Sequence, residues 1–260
     1  MENILISITL SSLLALFAIY KKSFTIFGTF TAWILTIVIT LCGGLSSFLI
    51  LFTIFFATFI AGKLFSTKRD NIVKDINQKN GRRDFIQVLA NIGIGTFSLI
   101  IYSFTKENTY LIAYACVMAS SLADSMASEL GVLSKKNPID ICSFKKIDKG
   151  ISGGVTLLGT LSSLLGAFLI GLIFFINNIF NFKIIIFITI LGFIGSLIDS
   201  ILGSLIQVKY KCPKCHKITE KKEHCHNKAL YFKGIKYVNN DTINILNNFC
   251  VFLLSIIFLK

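Results

Sequence analysis

Apolar residues in this chain come in long unbroken runs, with none of the alternation of half-buried strands or surface helices. Eight such runs stand out, at about 3–20, 24–41, 44–62, 86–104, 109–130, 154–177, 184–207 and 242–259. Each is long enough to cross a hydrocarbon core of roughly 30 Å as a helix. A helix that is apolar on every side belongs in a bilayer or a large core. The pattern therefore predicts an all-α polytopic membrane protein of about eight transmembrane helices. The first run has the length of a cleaved signal peptide, but it lacks a basic segment before it and a small-residue cleavage site after it, so it is read as a span. The longest connection, 208–241, has about 34 residues, too few for a separate soluble domain. One integral membrane domain, 1–260, is expected: 1–62 a scaffold of three helices, 63–207 the active-site helices and their loops, 208–241 a Cys/His loop and 242–260 the last helix.

Composition agrees, with 54% hydrophobic residues, 15% charged and a mean hydropathy of +0.75. A soluble domain carries about 25% charged residues. The net charge of +13 changes the picture only through its distribution. Of 26 Lys and Arg, 23 fall in alternate connections: Lys21 and Lys22, then 63–85, 132–152 and 208–241. The intervening connections hold only Lys106 and Lys183. That asymmetry predicts both termini outside and four loops in the cytoplasm, in the cell membrane. The charge is then topological, with a share left for anionic phosphate groups and membrane lipids. It does not point to nucleic acid.

Against this background two acids are out of place. Asp124, in "SSLADSMASELG", and Asp199, in "GSLIDSILGSL", each lie about two turns from the cytoplasmic end of an apolar run. The segments 121–130 and 196–205 align with five identities in ten, which predicts parallel repeats with a site at their interface. A carboxylate at such depth costs at least ~2.5 kcal/mol on insertion scales. Both helices also point their negative ends at the same face. A cation resolves the conflict, and hard oxygen ligands select Mg²⁺, Mn²⁺ or Ca²⁺. On the same helix Asp124 pairs with Ser128, and Ser125 with Glu129, at i, i+4. Two alternatives stay open: an ion pair with a neighbouring helix, and a proton or sodium relay in a transporter or scramblase of a lipid phosphate or small anion.

Two stretches offer what a metal-bound phosphate needs. "KGISGGVTLLG", 149–159, leads from Lys149 through Gly150, Ser152, Gly153 and Gly154 to Thr156 at the start of the sixth run. Glycines let the backbone approach an anion, and a helix start supplies free N–H groups. It is not a Walker A sequence. "GRRDFIQVLAN", 81–91, opens the fourth run with Arg82 and Arg83, and Gln87 and Asn91 follow at i, i+4, expected to face protein or water. Lys68 lies just after the third run.

The remaining cluster is "CPKCHKITEKKEHCH", 212–226. Its spacing is that of a zinc knuckle, with Cys212, Cys215, Cys225 and one histidine, His224 ahead of His216 and His226, filling a closed tetrahedral site. Disulfides are disfavoured in the cytoplasm. Beyond it Asp241, in "VNNDTIN", is either an N-cap or a further metal or substrate contact.

Together GRRDFIQVLAN, ADSMASELGVLS, GISGGVTLLG and the ND-x-x-N before the last run resemble the integral membrane family of transmembrane protein 19 and plant phytyl-phosphate kinase, over roughly 60–250. The resemblance implies a membrane kinase that converts an isoprenyl (phytyl or prenyl) monophosphate to the diphosphate, using CTP or ATP. It implies that Asp124, Glu129 and Asp199 hold Mg²⁺, and that Lys149, Ser152, Gly153, Gly154 and Thr156 bind nucleotide phosphates. Arg82, Arg83 and Lys68 would engage the lipid phosphate or the nucleotide, with Asn91 and Asp241 completing the binding set. The cysteine knuckle resembles a feature of the prokaryotic branch.

Overall fold

A computed structural model describes residues 2–64, 82–177 and 181–260, apart from the side chains of residues 2, 3 and 64. Among the described residues seven helices carry the fold: α1 (Glu2–Tyr20), α2 (Ile26–Leu64), α3 (Phe85–Thr105), α4 (Asn108–Gly131), α5 (Leu157–Asn177), α6 (Lys183–Leu205) and α7 (Asn240–Leu259). Among the described residues six of them, α2 to α7, are long and apolar enough to cross a membrane. The apolar part of α1, Ile4–Tyr20, is shorter. Large side chains such as Leu5, Leu13, Leu16, Ile26 and Phe27 point outward, as expected of a surface that meets lipid.

The second and third apolar runs form two helical halves in series, with almost no loop between them. They make up the single element α2, interrupted at Gly44, whose φ of 72° and ψ of −170° leave the helical region. Thirty-one residues of straight helix would separate Phe24 from Phe55 by about 45 Å. Their rings instead stack with centroids 5.8 Å apart, so the two halves of α2 fold back on each other. A positive φ is open to glycine without penalty, which is why the reversal falls there. Nothing in the hydrophobic pattern distinguishes such a fold-back from a short loop.

At the centre lies α4, packed against α2, α3, α5, α6 and α7. From Leu111 to Ala123 nearly every side chain is buried, Ala113, Ala115, Cys116 and Ala119 among them. Small residues allow this density, as they do between membrane helices generally. A Cβ on Gly192 of α6 would come within 2.6 Å of the Ala119 Cβ, and one on Gly166 of α5 within 3.2 Å of the Leu122 carbonyl.

The fold is not purely helical. Seven short strands occupy the two connections at one end of the bundle: β1 (Ile139–Asp140), β2 (Gly154–Val155), β3 (Lys209–Lys211), β4 (Ile218–Thr219), β5 (Glu223–His224), β6 (Asn227–Lys228) and β7 (Leu230–Lys233). They form three antiparallel sheets, β1–β2, β4–β3–β7 and β5–β6. Ladders this short satisfy backbone groups in connections that have no helix of their own. One consequence is that α5 starts at Leu157 rather than 154, because Gly154 and Val155 pair with Asp140 and Ile139.

Candidate functional site

Close packing of α6 on α4 sets the site. A side chain on Gly195 would overlap Ser120, so the two helices touch through glycine one turn before Asp199. Asp124 and Asp199 consequently meet, each carboxyl group within reach of the other. When both are ionised the two carboxylates are acceptors only, so neither then satisfies the other. Asp199 is 9% exposed, and its Oδ2 is buried with no hydrogen-bond partner among the described residues.

Both acids open onto one cavity of about 800 Å³. Its walls bring together most of the residues singled out in the sequence. From α4 come Asp124, Ser125, Ser128 and Glu129; from α6, Ser196, Asp199 and Ser200. The glycine-rich segment adds Lys149, Gly150, Ser152, Gly153, Gly154 and Thr156. Arg83, Gln87 and Asn91 line it from the start of α3, and Asp241 and Asn244 from the start of α7. Arg82 is exposed and stands outside this wall, and Lys68 lies outside the described residues.

Local chemistry explains each placement. Asp84, between the arginines and α3, is the N-cap: it accepts from the Gln87 amide at 2.9 Å while Gln87 Oε1 accepts from the Asp84 amide at 3.1 Å. That is a capping box. At α7 the cap is Asn239, whose Oδ1 accepts from the Thr242 amide at 3.0 Å. Asp241 is therefore not the cap, and it sits 4% exposed in the first turn on the cavity wall. Thr156 caps α5, accepting from the Gly159 amide at 3.0 Å.

The glycine-rich segment is held from outside. Gly153 has a φ of +89°, and a Cβ there would lie 2.6–2.8 Å from the Cβ, Cα and backbone N of Ser204. Ser152 is gripped by two residues that the sequence reading did not single out. Glu220 Oε1 accepts from the Ser152 hydroxyl at 2.5 Å and from its amide at 3.1 Å, while Lys209 Nζ donates to the Ser152 carbonyl at 2.6 Å. The Ser152 amide, expected to face a phosphate, thus already serves a carboxylate. Burial pushes the Glu220 pKa up, against the pull of its Ser152 donors. Burial, together with the Lys233 charge, pushes Lys209 down to about 8, and Glu220, Asp140 and Cys142 offset part of that. Asp140, also unanticipated, is buried beside the segment and accepts from the Ser204 and Ser143 hydroxyls at 2.8–2.9 Å and from the Ser143 amide at 2.8 Å.

Lys209 and Glu220 both belong to the Cys/His connection, at the start of β3 and just after β4. Further along it, one ligand atom from each of Cys212, Cys215, His224 and Cys225 lies within 4.8 Å of all the others. His224 Nδ1 is 3.4 Å from Cys215 Sγ and 3.2 Å from Cys225 Sγ. The Cys215 amide, ahead of opposing burial, draws the Cys212 thiol pKa down to about 6. Three cysteine sulfurs and one imidazole nitrogen are the number and kind of donors that a tetrahedral zinc site takes.

The chain belongs to the family of integral membrane proteins described as "Integral membrane protein DUF92", whose model matches residues 9–252. It is 38% identical over 128 residues to the uncharacterized membrane protein MJ0933 of Methanocaldococcus jannaschii, a match spanning 49% of this chain and about half, 52%, of that protein. It is 29% identical to Protein PGR of Arabidopsis thaliana, over 80% of this chain and 84% of the plant protein. With the uncharacterized membrane protein sll0875 of Synechocystis it shares 26% identity, over 77% and 79% of the two chains. No solved structure matches.

Proposed function

We propose that this member of the DUF92 family is a membrane-embedded kinase that phosphorylates an isoprenyl monophosphate to the diphosphate, using CTP or ATP. The observation that carries the reading is the meeting of Asp124 and Asp199 on the wall of a large polar cavity, with one buried Asp199 oxygen that has no hydrogen-bond partner among the described residues. Like charges held together in a poorly solvated place call for a cation between them. The donors are hard oxygens, which fit Mg²⁺. Asp124 and Asp199 would hold it, with Glu129 on the same wall. Bound there, the ion neutralises charge on the terminal phosphates of the nucleotide.

The chain's own residues orient the reactants. Lys149, Gly153, Gly154 and the start of α5 face the nucleotide phosphates, and Arg83 and Asn91 face the lipid phosphate. An oxygen of the lipid monophosphate attacks the γ-phosphorus and the bond to the bridging oxygen breaks. Lipid diphosphate and nucleoside diphosphate leave. A phosphate nucleophile is already ionised at neutral pH, so the step needs positioning and charge neutralisation more than a base.

The same reading places the cavity at the cytoplasmic face of the cell membrane, with eight passes, counting the halves of α2 separately, and both termini outside. It also makes Cys212, Cys215, His224 and Cys225 a structural zinc site that fixes β3 and β4, and through them Lys209 and Glu220.

Purified protein given Mg²⁺, CTP or ATP, and phytyl or geranylgeranyl monophosphate should yield the diphosphate. Gradient-driven flux in liposomes without nucleotide hydrolysis would overturn the kinase in favour of a transporter. Metal analysis of never-chelated protein should find close to one zinc per chain; a value below about half an equivalent would remove the zinc site.

A further inference from the structure

The polar cavity has an apolar neighbour. A narrow cleft of about 60 Å³ runs between α1, both halves of α2, and α3. Ala15 and Ala18 line it from α1, Ala32 and Trp33 from the first half of α2, and Ile54 and Phe55 from the second. Three hydroxyls on its wall, from α1 and the first half of α2, are spent on nearby backbone. Ser11 donates to the Ser7 carbonyl at 2.6 Å, Thr29 to Thr25 at 3.0 Å and Thr36 to Ala32 at 2.6 Å. Each of these three is thereby satisfied, and away from Arg83, Gln87, Asn91 and Ser125 the lining offers carbon. A space of that character does not hold ordered water, which needs two to four polar partners.

Four residues belong to both walls: Arg83, Gln87, Asn91 and Ser125. They form a polar seam with the large cavity on one side and the apolar cleft on the other. The seam is fixed in place. The Thr25 amide donates to the Arg83 carbonyl at 2.9 Å and the Arg83 amide to the Ser23 carbonyl at 3.0 Å, tying the α1–α2 connection to the start of α3. Gly28 packs so closely that an added Cβ would stand 2.5 Å from the Arg83 carbonyl oxygen. The N-terminal helices, expected to be a plain lipid-facing scaffold, are thus pinned against the rim of the cavity.

We propose that this cleft is the tail site for a single-chain anionic amphiphile, an isoprenyl monophosphate whose head lies in the large cavity beside Arg83 and whose first tail carbons pass across the seam into the cleft. The two spaces abut at these four shared residues, so a molecule with its head in one lies within reach of the other. The narrow bore fits one slim chain, not paired acyl chains. Outer faces of α1 and α2 are apolar and exposed, so the remainder of a long tail lies in lipid.

The site rests on the large cavity's being a phosphate site, but not on any reaction there. The test therefore avoids turnover. Full-length protein in nanodiscs is irradiated with geranylgeranyl monophosphate carrying a diazirine in its first isoprene units, and adducts are mapped by mass spectrometry. Adducts on residues 11–18, 29–36 and 51–55 that unlabelled monophosphate competes away are expected. Competed adducts on α5 or α6 instead, or uncompeted labelling of exposed faces alone, would overturn the site. In a second arm, Ala15→Phe and Ala32→Phe fill the cleft. Affinity for the C20 monophosphate should fall about tenfold or more while that for a C5 monophosphate changes less than about twofold. Equal loss for both, or no loss for the long chain, counts against the proposal. Correct crosslinks with no diphosphate ever formed would retain the tail site and sink the kinase; diphosphate formed with crosslinks elsewhere would do the reverse.

Discussion

Asp140 and Asp199 are two buried acids at the same end of the molecule, 3% and 9% exposed, and they are solved in opposite ways. Asp140 sits in a turn that was built around it. Ser143 donates through both amide and hydroxyl, Ser204 donates across from α6, and the Cys142 amide adds a longer contact at 3.2 Å. Asp199 faces another carboxylate and keeps an oxygen with no donor. Buried polar groups are nearly always satisfied, and each exception asks for an explanation. Burial by itself separates nothing here; the count of donors does. A carboxylate with a full set of donors holds loops together, and one without them on a cavity wall is shaped for something that arrives from solution.

The largest effect expected from this contrast is on Asp199. Asp199→Asn should lower turnover by about 10²–10³-fold, the usual cost of removing one preorganised electrostatic partner of a transferring group. It should leave thermal stability in detergent unchanged or raised, since one of two adjoining negative charges is gone. Mg²⁺ should raise the melting temperature of the wild type through ligand linkage and should not raise that of the variant. Full activity in Asp199→Asn would remove the acid pair from the mechanism and with it the distinction drawn above.

Asp140→Asn should behave in the other direction. The new amide places donors against hydroxyl and amide donors, so a loss of roughly 2–3 kcal/mol is expected, seen as a lower melting temperature. Material that remains folded should keep its specific activity and its response to Mg²⁺. The pH dependence has a definite sign. Burial pushes the Asp140 pKa up, but the Ser143 amide, the Ser204 and Ser143 hydroxyls and the Lys233 charge more than reverse this, leaving it below its ordinary 3.8. Its stabilising contribution is then complete above the pKa of an unfolded aspartate and disappears only as pH falls through the lower folded value. A melting temperature of the wild type that already drops steeply between pH 7 and 5 would have another source than Asp140.

The contrast between these acids also marks what a sequence lets one read. Asp124 and Asp199 stood out because a carboxylate inside an apolar run is costly in lipid, so its presence needs a reason. The long helices stood out on similar grounds, since a chain in a bilayer must satisfy its backbone within each span. Glu220 was hidden by the charge around it: in "ITEKKEH" an acid reads as solvated, and only the docking of β4 against Ser152 buries it. Arg82 and Arg83 are indistinguishable as letters, yet Arg83 bridges to Phe24 and lines the cavity while Arg82 is exposed. The two-residue ladders were equally silent, because they do not repeat long enough to set a period. Asp241 lost the cap to Asn239 by a two-residue shift, a difference inside the ordinary uncertainty of helix ends.

Glu220 is the intermediate case, and it sharpens the rule most. Like Asp199 it lines the cavity; like Asp140 it has donors, two from Ser152 and one from Gln207, with Lys209 beside it. If donor satisfaction decides the role, Glu220→Gln should act as a positioning change. Glutamine keeps a carbonyl oxygen for Ser152, so the glycine-rich segment should remain in place. What is lost is the charge opposite Lys209, worth about 1 kcal/mol for a partly buried pair. That loss should shrink as pH rises through about 8, where Lys209 gives up its own proton and no longer needs a counter-charge. Turnover should fall less than about tenfold, with the KM for nucleotide unchanged or lower because one negative charge has left the wall near the phosphates. A drop as deep as that of Asp199→Asn, together with a lost response to Mg²⁺, would mean that Glu220 is a further metal ligand that exchanges Ser152 for the ion, and that hydrogen bonds within the cavity wall do not reveal which acids are spoken for.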